Sequence, residues 1–305
     1  MKLIKDPADA IVFAPDLPRT FEPERQPWEP PVPEPLVVSV TLHAPSYQDD
    51  VPAGSTKPMA MMGGVGRETG EPHHGQVARL SQWDFGLTVG LWRLLDIAER
   101  SGVPVAVALD AYGVRTMPGL ASLTARRAQE IVVRGIAANI VVSEKMTADE
   151  ERVYISEATT AVAGATGTSP VGWFSPERAE TTRTPALLRE AGYEWFGDWP
   201  VDERPITLAG AAEGLVALPH MLDAEDIFSL YTRGMSAHDY GQILDDTVDQ
   251  LICDAATTGR RFLGINLFGW VSGQACFAGV AERLLTRLAH HPDVRVALPS
   301  EIAAW

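Results

Sequence analysis

Two cysteines in 305 residues, Cys253 and Cys276, are too few for a disulfide framework, and their spacing is not that of a metal-binding Cys-x-x-Cys clip. Cys276 has no base near it in sequence, so a buried, inert thiol is expected there. Basic residues are scarce as well: 25 Lys and Arg face 40 Asp and Glu, a formal net charge of −15. Nucleic acid and anionic membranes are held by clustered Lys and Arg, so neither is expected as a partner, and the charge reads as a well-solvated surface. No apolar run is long enough to span a bilayer. The first ten residues lack the apolar stretch of a secretory signal, so a cytoplasmic protein is expected. No glycine-rich phosphate loop of either standard spacing follows an apolar run; a nucleotide is not expected, nor any other cofactor. Apolar residues are abundant, at 46% of the chain, which is enough for a sizeable core and excludes wholesale disorder.

Residues 1–35 are rich in proline and acid and read as an extended arm lying over the fold or over a neighbouring subunit, with Phe21 and Trp28 as its apolar anchors. That second option keeps a homo-oligomer open. Leu36 to His43 is the first strand-like run. Residues 44–82 follow without clear periodicity and contain Met59, Met61, Met62 and the pair His73-His74, which reads as solvated more readily than as metal-binding. From residue 87 helical and strand patterns alternate. Leu91, Leu94, Leu95 and Ala98 share one helical face; Val103 to Asp110 is a buried strand; Thr124 to Gln129 belongs to a helix leading into the strand Glu130 to Val133. Thr147 and Glu150 form a capping-box pattern for a helix ending near Gly167. Short strands are expected at Val171 to Phe174, Tyr193 to Phe196, Leu215 to Pro219, Phe262 to Leu267 and Val294 to Leu298, with helices between them; the longest helix runs from Ser236 to Ala256 and another from Phe277 to Ala289. Such alternation implies an α/β fold of parallel strands joined by crossover helices. Seven to eight units with no linker favour one barrel over 36–305.

Several segments carry a family resemblance. Gly102-Val103-Pro104-Val105-Ala106-Val107-Ala108-Leu109-Asp110 resembles the second-strand motif of polysaccharide deacetylases (carbohydrate esterase family 4). Phe85-Gly86-Leu87-Thr88-Val89-Gly90-Leu91-Trp92-Arg93 is similar to a Tyr-Gly-x-x-x-Gly-x-Trp-Arg stretch of the metal-independent, allantoinase-like branch of that superfamily. Gly172-Trp173-Phe174-Ser175-Pro176, then Gly192-Tyr193-Glu194-Trp195-Phe196-Gly197-Asp198 with Asp202 and Pro205, then Leu218-Pro219-His220 with Asp226, follow in the family's order. The resemblance covers about 36–305 and implies a distorted (β/α) barrel of about seven parallel strands. It also marks departures. Where family deacetylases hold a catalytic and a metal-binding Asp, this chain has Thr41 and His43. Their His-Gly-x-x-His reads Arg134-Gly135-Ile136-Ala137-Ala138, and their last histidine falls in Leu267-Phe268-Gly269-Trp270. A metal needs about three converging ligands, so none is expected here.

Working groups in parallel barrels gather at the C-terminal ends of strands. That rule selects His43, Arg134, Asp198 and His220 as catalytic candidates, with Asp110 and Trp270 beside them. His43 and Asp198 are suited to moving a proton. Arg134 offers a fixed guanidinium to bind a carboxylate or polarise a carbonyl; its structural alternative is an ion pair with Asp110 or Asp198. Asp202, with Asp198, acts as a base, an orienting group or a turn residue. By resemblance Glu177 and Arg178 border the cleft, Asp84 lies near it, and Trp173 and Trp270 wall the pocket. The expected activity is metal-independent hydrolysis of a C–N bond, amide or ureide, in a small polar substrate. A non-catalytic protein binding a small molecule or carbohydrate, and a biosynthetic enzyme whose reaction is no longer hydrolytic, stay open.

Overall fold

A computed structural model describes residues 17, 18, 20–48 and 77–305, and of 77–79 the backbone alone. Met59, Met61, Met62, His73 and His74 lie outside them. The central strand β1 (Leu36–Ala44) is buried along its whole length. It pairs in parallel with β2 (Ala106–Leu109), β8 (Arg261–Phe268) and β9 (Val294–Val296). A strand covered on both faces reads as one apolar run, which is why Leu36 to His43 is so easily found in the sequence. The sheet continues through β3 (Glu130–Val133), β4 (Gly172–Trp173), β5 (Trp195–Phe196) and β7 (Val216–Ala217) to β6 (Ile206–Thr207). β6 alone is antiparallel to its neighbour. Beyond β7, His220 makes an isolated parallel bridge to Gly264 of β8, so the sheet curls until its two ends approach, giving a distorted barrel with helices around it. The expected α/β architecture is therefore present. Nine strands stand against the eight runs expected, because the short β6 joins them.

The helices are α1 (Val77–Phe85), α2 (Leu91–Ser101), α3 (Ala111–Thr116), α4 (Pro118–Ala125), α5 (Ala148–Thr166), α6 (Thr184–Glu190), α7 (Ala237–Thr258), α8 (Ala278–His290) and α9 (Pro299–Ala303). Their ends follow local chemistry. Thr147 and Glu150 cap α5 reciprocally, and Gly167 closes it in the left-handed region at φ 71°. Ser236 caps α7 by accepting from the Asp239 amide, and Gly102 closes α2 at φ 70°. Between α1 and α2 the chain widens into a π-turn, Gly86–Gly90. That turn lies against the loop after β8: a Cβ on Gly90 would sit 1.9 Å from the Gly269 carbonyl oxygen, and one on Gly273 2.4 Å from the Gly90 Cα. Glycines there allow backbone to touch backbone.

The described part of the arm is tied to the barrel. Glu22 accepts from Arg204 and Arg261, two guanidinium groups that are otherwise almost wholly buried, and Arg25 pairs with Asp202. Trp28 packs on the apolar cluster formed by Val37, Phe262 and Ile302, whereas Phe21, expected as a second anchor, is exposed. Both cysteines are exposed too, which corrects the expectation of a buried Cys276. No helix among the described residues is long and apolar enough to cross a membrane.

Candidate active site

A narrow cavity opens where β1, β3, β4, β5 and β8 end. Its walls are His43, Arg134, Phe174, Ser175, Glu177, Arg178, Asp198, Glu225, Ile227, Asn266 and Phe268. The apolar strands carry His43, Arg134, Ser175 and Asp198 to one point because each stands within two residues of a strand's C-terminal end.

His43 is buried between aromatic rings, stacked on Phe268 with centroids 4.6 Å apart and edge-on to Phe174 at 4.7 Å. Its Nε2 lies 2.9 Å from the Asn266 Oδ1, while Nδ1 is buried without a partner. With Asn266 presenting its oxygen, the proton sits on Nε2 and the Nδ1 lone pair is free. Burial, and then the charge of Arg134, hold this imidazole well below its ordinary range, so at neutral pH it is uncharged. Arg134 lies over the Phe268 ring, 5.4 Å from its centroid. It is buried, makes neither an ion pair nor a side-chain hydrogen bond among the described residues, and leaves Nη1 unpartnered. Burial lowers its pKa; the charges of Glu177, Asp110 and Asp198 act against that. The expected alternative, an ion pair with Asp110 or Asp198, is not formed.

Both carboxylates are occupied elsewhere. Asp110 caps α3, accepting from the Gly113 amide at 2.8 Å and from the Ser46 amide and hydroxyl at 2.6 and 2.5 Å. Burial lifts it to about 6 against those bonds. Asp110 is thus a structural cap and not a cavity wall, contrary to its expected role. Asp198 does face the cavity, accepting from the Ser175 amide at 2.9 Å, and it shares a side-chain hydrogen bond with Glu180. Burial and the neighbouring Asp198 charge push Glu180 well above the usual carboxylate range, so the proton of this pair sits on Glu180. Glu177 and Arg178 also line the cavity, and both adopt left-handed backbone, at φ 54° and 52°. Two consecutive non-glycine residues in that region store strain of about 1–2 kcal/mol each. Arg178 is held by an ion pair to Glu225.

The remaining expectations are corrected by burial or position. Trp173 is fully buried in the core, donating its indole N–H to Ser175 Oγ at 2.9 Å and packing edge-on to Tyr193. Trp270 is equally buried, between Trp83 and Tyr231. Neither walls the cavity. Asp84 is exposed on α1. Asp202 binds the arm through Arg25. His220 is buried with Nδ1 3.0 Å from the Gly197 carbonyl, and it opens on a separate surface cleft shared with Glu22, Arg25 and Asp202. Burial and the Arg178 charge lower it to about 3.

The cavity residues missed in the sequence are Asn266, Ser175 and Glu225. Asn266 had a signal: it is the polar interruption of an apolar strand and lies two residues before Phe268, hence on the same face. Ser175 falls inside the Gly172 to Pro176 segment but carried no feature of its own, and Glu225 had only its neighbour Asp226 to mark it.

A divalent ion does not fit these residues. Among the described residues no three His, Cys, Asp or Glu side chains converge, and a guanidinium stands where a metal ligand would be needed.

The curled parallel sheet with its strand-end cavity is the fold of the polysaccharide deacetylases. Similar solved structures include a protein described as a polysaccharide deacetylase from Mycobacterium smegmatis, 21% identical, with a TM-score of 0.76 over 92% of this chain and 93% of that one. Another from Pseudomonas aeruginosa PAO1, described in the same way, is 23% identical with a TM-score of 0.76 over 89% and 90%. PuuE allantoinase is 20% identical with a TM-score of 0.77 over 89% and 90%. The likeness is one of fold. No family model and no curated protein matches the sequence.

Proposed function

We propose that the chain is a metal-independent hydrolase acting on a C–N bond, amide or ureide, of a small polar molecule. The observation that carries this reading is the pairing, in one cavity, of an unpartnered buried guanidinium on Arg134 with an unpartnered imidazole Nδ1 on His43. Arg134 supplies fixed positive charge that seats and orients the substrate beside His43. His43, neutral and held by Asn266 in the tautomer with Nδ1 free, accepts a proton from the attacking water and returns it to the departing nitrogen. Water thus adds to the carbonyl carbon, the C–N bond breaks, and the proton leaves with the amine. Asp198 is a second proton acceptor at the same wall. The polar lining favours this reading over a non-catalytic binder, for which a collapsed apolar cleft is expected.

The test is release of ammonia or amine from a panel of small ureides and amides by chelator-treated protein. Turnover is expected without added metal. Its acid limb in kcat/KM should lie well below pH 6.5, because the imidazole stays unprotonated down to its lowered pKa. Turnover that appears only on adding a divalent ion, or that persists unchanged in His43→Gln, would overturn the proposal.

A further inference from the structure

We infer that the molecule bound in this cavity carries a carboxylate, and that Arg134 receives it. The inference rests on the site reading above and adds the substrate's charge. Two of the three cavity-side carboxyls already have partners other than Arg134: Asp198 holds the Ser175 amide and Glu180, and Glu225 holds Arg178. Asp110, behind the cavity, holds Ser46 and Gly113. Glu177 is the third; its charge acts on Arg134, but it makes no ion pair or hydrogen bond with the guanidinium, whose Nη1 stays unpartnered. A desolvated cation without a partner is costly enough that a ligand anion is the group missing from this arrangement.

Shape narrows the anion. The Phe268 ring lies under the guanidinium and stacks on His43, and the guanidinium Nη1 is left for a ligand. A planar fork matches a planar two-oxygen acceptor. The cavity is narrow and partly open, about 40 Å³, so the end of a small ligand enters it while the rest lies toward the mouth. A flat carboxylate end suits so narrow a space better than a tetrahedral phosphate. The arrangement also links binding to chemistry. After burial, the Arg134 charge is the largest influence holding the His43 imidazole down, so a carboxylate that neutralises Arg134 makes His43 a better base once substrate is seated.

Calorimetric titration of the full chain with acetate, N-carbamoylglycine, the neutral amide of N-carbamoylglycine and inorganic phosphate tests this. The carboxylates are expected to bind, with the amide and phosphate weaker than N-carbamoylglycine by about thirty-fold or more. Arg134→Gln should lose binding by a similar factor, and Arg134→Lys should recover only a small part of it. The comparison of carboxylate with amide needs no variant, so it stands even if Arg134→Gln fails to fold. Equal binding of amide and carboxylate, tighter binding of phosphate, carboxylate binding unchanged in Arg134→Gln, or no carboxylate binding at all would overturn the inference. Turnover of the same compounds keeps the two claims separate. Arg134-dependent carboxylate binding without C–N cleavage keeps the inference and removes the hydrolase reading; cleavage of the neutral amide with equal affinity does the reverse.

Discussion

Arg134 is the residue whose energetics differ most from the ordinary case. An arginine in a buried ion pair destabilises the fold when removed, by about 3–5 kcal/mol, because its carboxylate is stranded. Arg134 strands neither Asp110 nor Asp198, which are satisfied by Ser46, Gly113, Ser175 and Glu180, and it forms no ion pair with Glu177. Arg134→Met, which keeps the stem volume and removes the charge, should therefore leave stability unchanged or raise it by about 1–2 kcal/mol, while lowering kcat/KM by about a hundred-fold or more. Urea melts and steady-state kinetics on the same preparation check both. A loss of several kcal/mol would show that an ion pair holds this side chain after all. His43, Arg134 and Asp198 were legible in the sequence for one reason: each ends an apolar run with a group that such a run does not bury lightly. Trp173 and Trp270 were misread because a tryptophan near a strand end fills core as readily as it walls a pocket. Only burial separates the two.

Two features at the scale of elements hold the cavity's floor. Phe268, on which both His43 and Arg134 rest, is fixed through its backbone: the buried Asp226 carboxylate accepts from the Phe268 amide at 2.8 Å and from the Ser272 amide at 3.2 Å. Burial lifts Asp226 to about 7. A folded pKa raised above the unfolded value means that the native state holds the proton more tightly, so this contribution is complete below about pH 4 and is lost as pH rises through about 7. Asp226→Asn mimics the protonated carboxyl and should flatten that fall. Denaturant midpoints at pH 5 and pH 8 should differ less in the variant than in the parent, and an equal difference would clear Asp226 of the effect. The second feature is the π-turn. Gly90→Ala forces a methyl into the Gly269 carbonyl, so the loop after β8 must move; a loss of about 2–3 kcal/mol is expected. A thermal melt within a degree of the parent would mean that the crossing is looser than it is drawn. The capping boxes, strand runs and long helices were legible because their causes are local: a hydroxyl, a glycine, a run of apolar residues. The π-turn was not, since its glycines answer to backbone nearly 180 residues later in the chain. For the same reason Asp110 was read as a strand-end site residue when its bonds to Ser46 and Gly113 make it a cap.

For the molecule as a whole, the arm and the barrel meet over charge more than over apolar surface, and that decides how their union should respond to conditions. Glu22 bridges Arg204 and Arg261, which are each 4% exposed, and Arg25 reaches Asp202. Burial works against the Glu22 charge, but the hydrogen bond from Arg261 and the charges of Arg204, Arg261 and Arg25 outweigh it and hold the carboxyl below its ordinary range. A folded pKa that is depressed contributes stability above the unfolded value and loses it as pH falls, so the arm should loosen on acidification. Glu22→Gln removes the charge while keeping the shape. Arg204 still donates to the Thr258 and Gln26 carbonyls, and the Glu22 side chain is 38% exposed and partly screened. The expected loss is therefore modest, about 1 kcal/mol, and should shrink further in high salt. Limited proteolysis is the sharper reading, because it reports on the arm and not on the barrel. The variant should be cut before residue 30 several-fold faster than the parent at pH 7, and the two rates should converge only as the pH falls below the ordinary carboxylate range, where the parent's Glu22 takes up its proton. Equal rates at pH 7 would mean that Trp28 and the proline backbone hold the arm without help from the ion pairs.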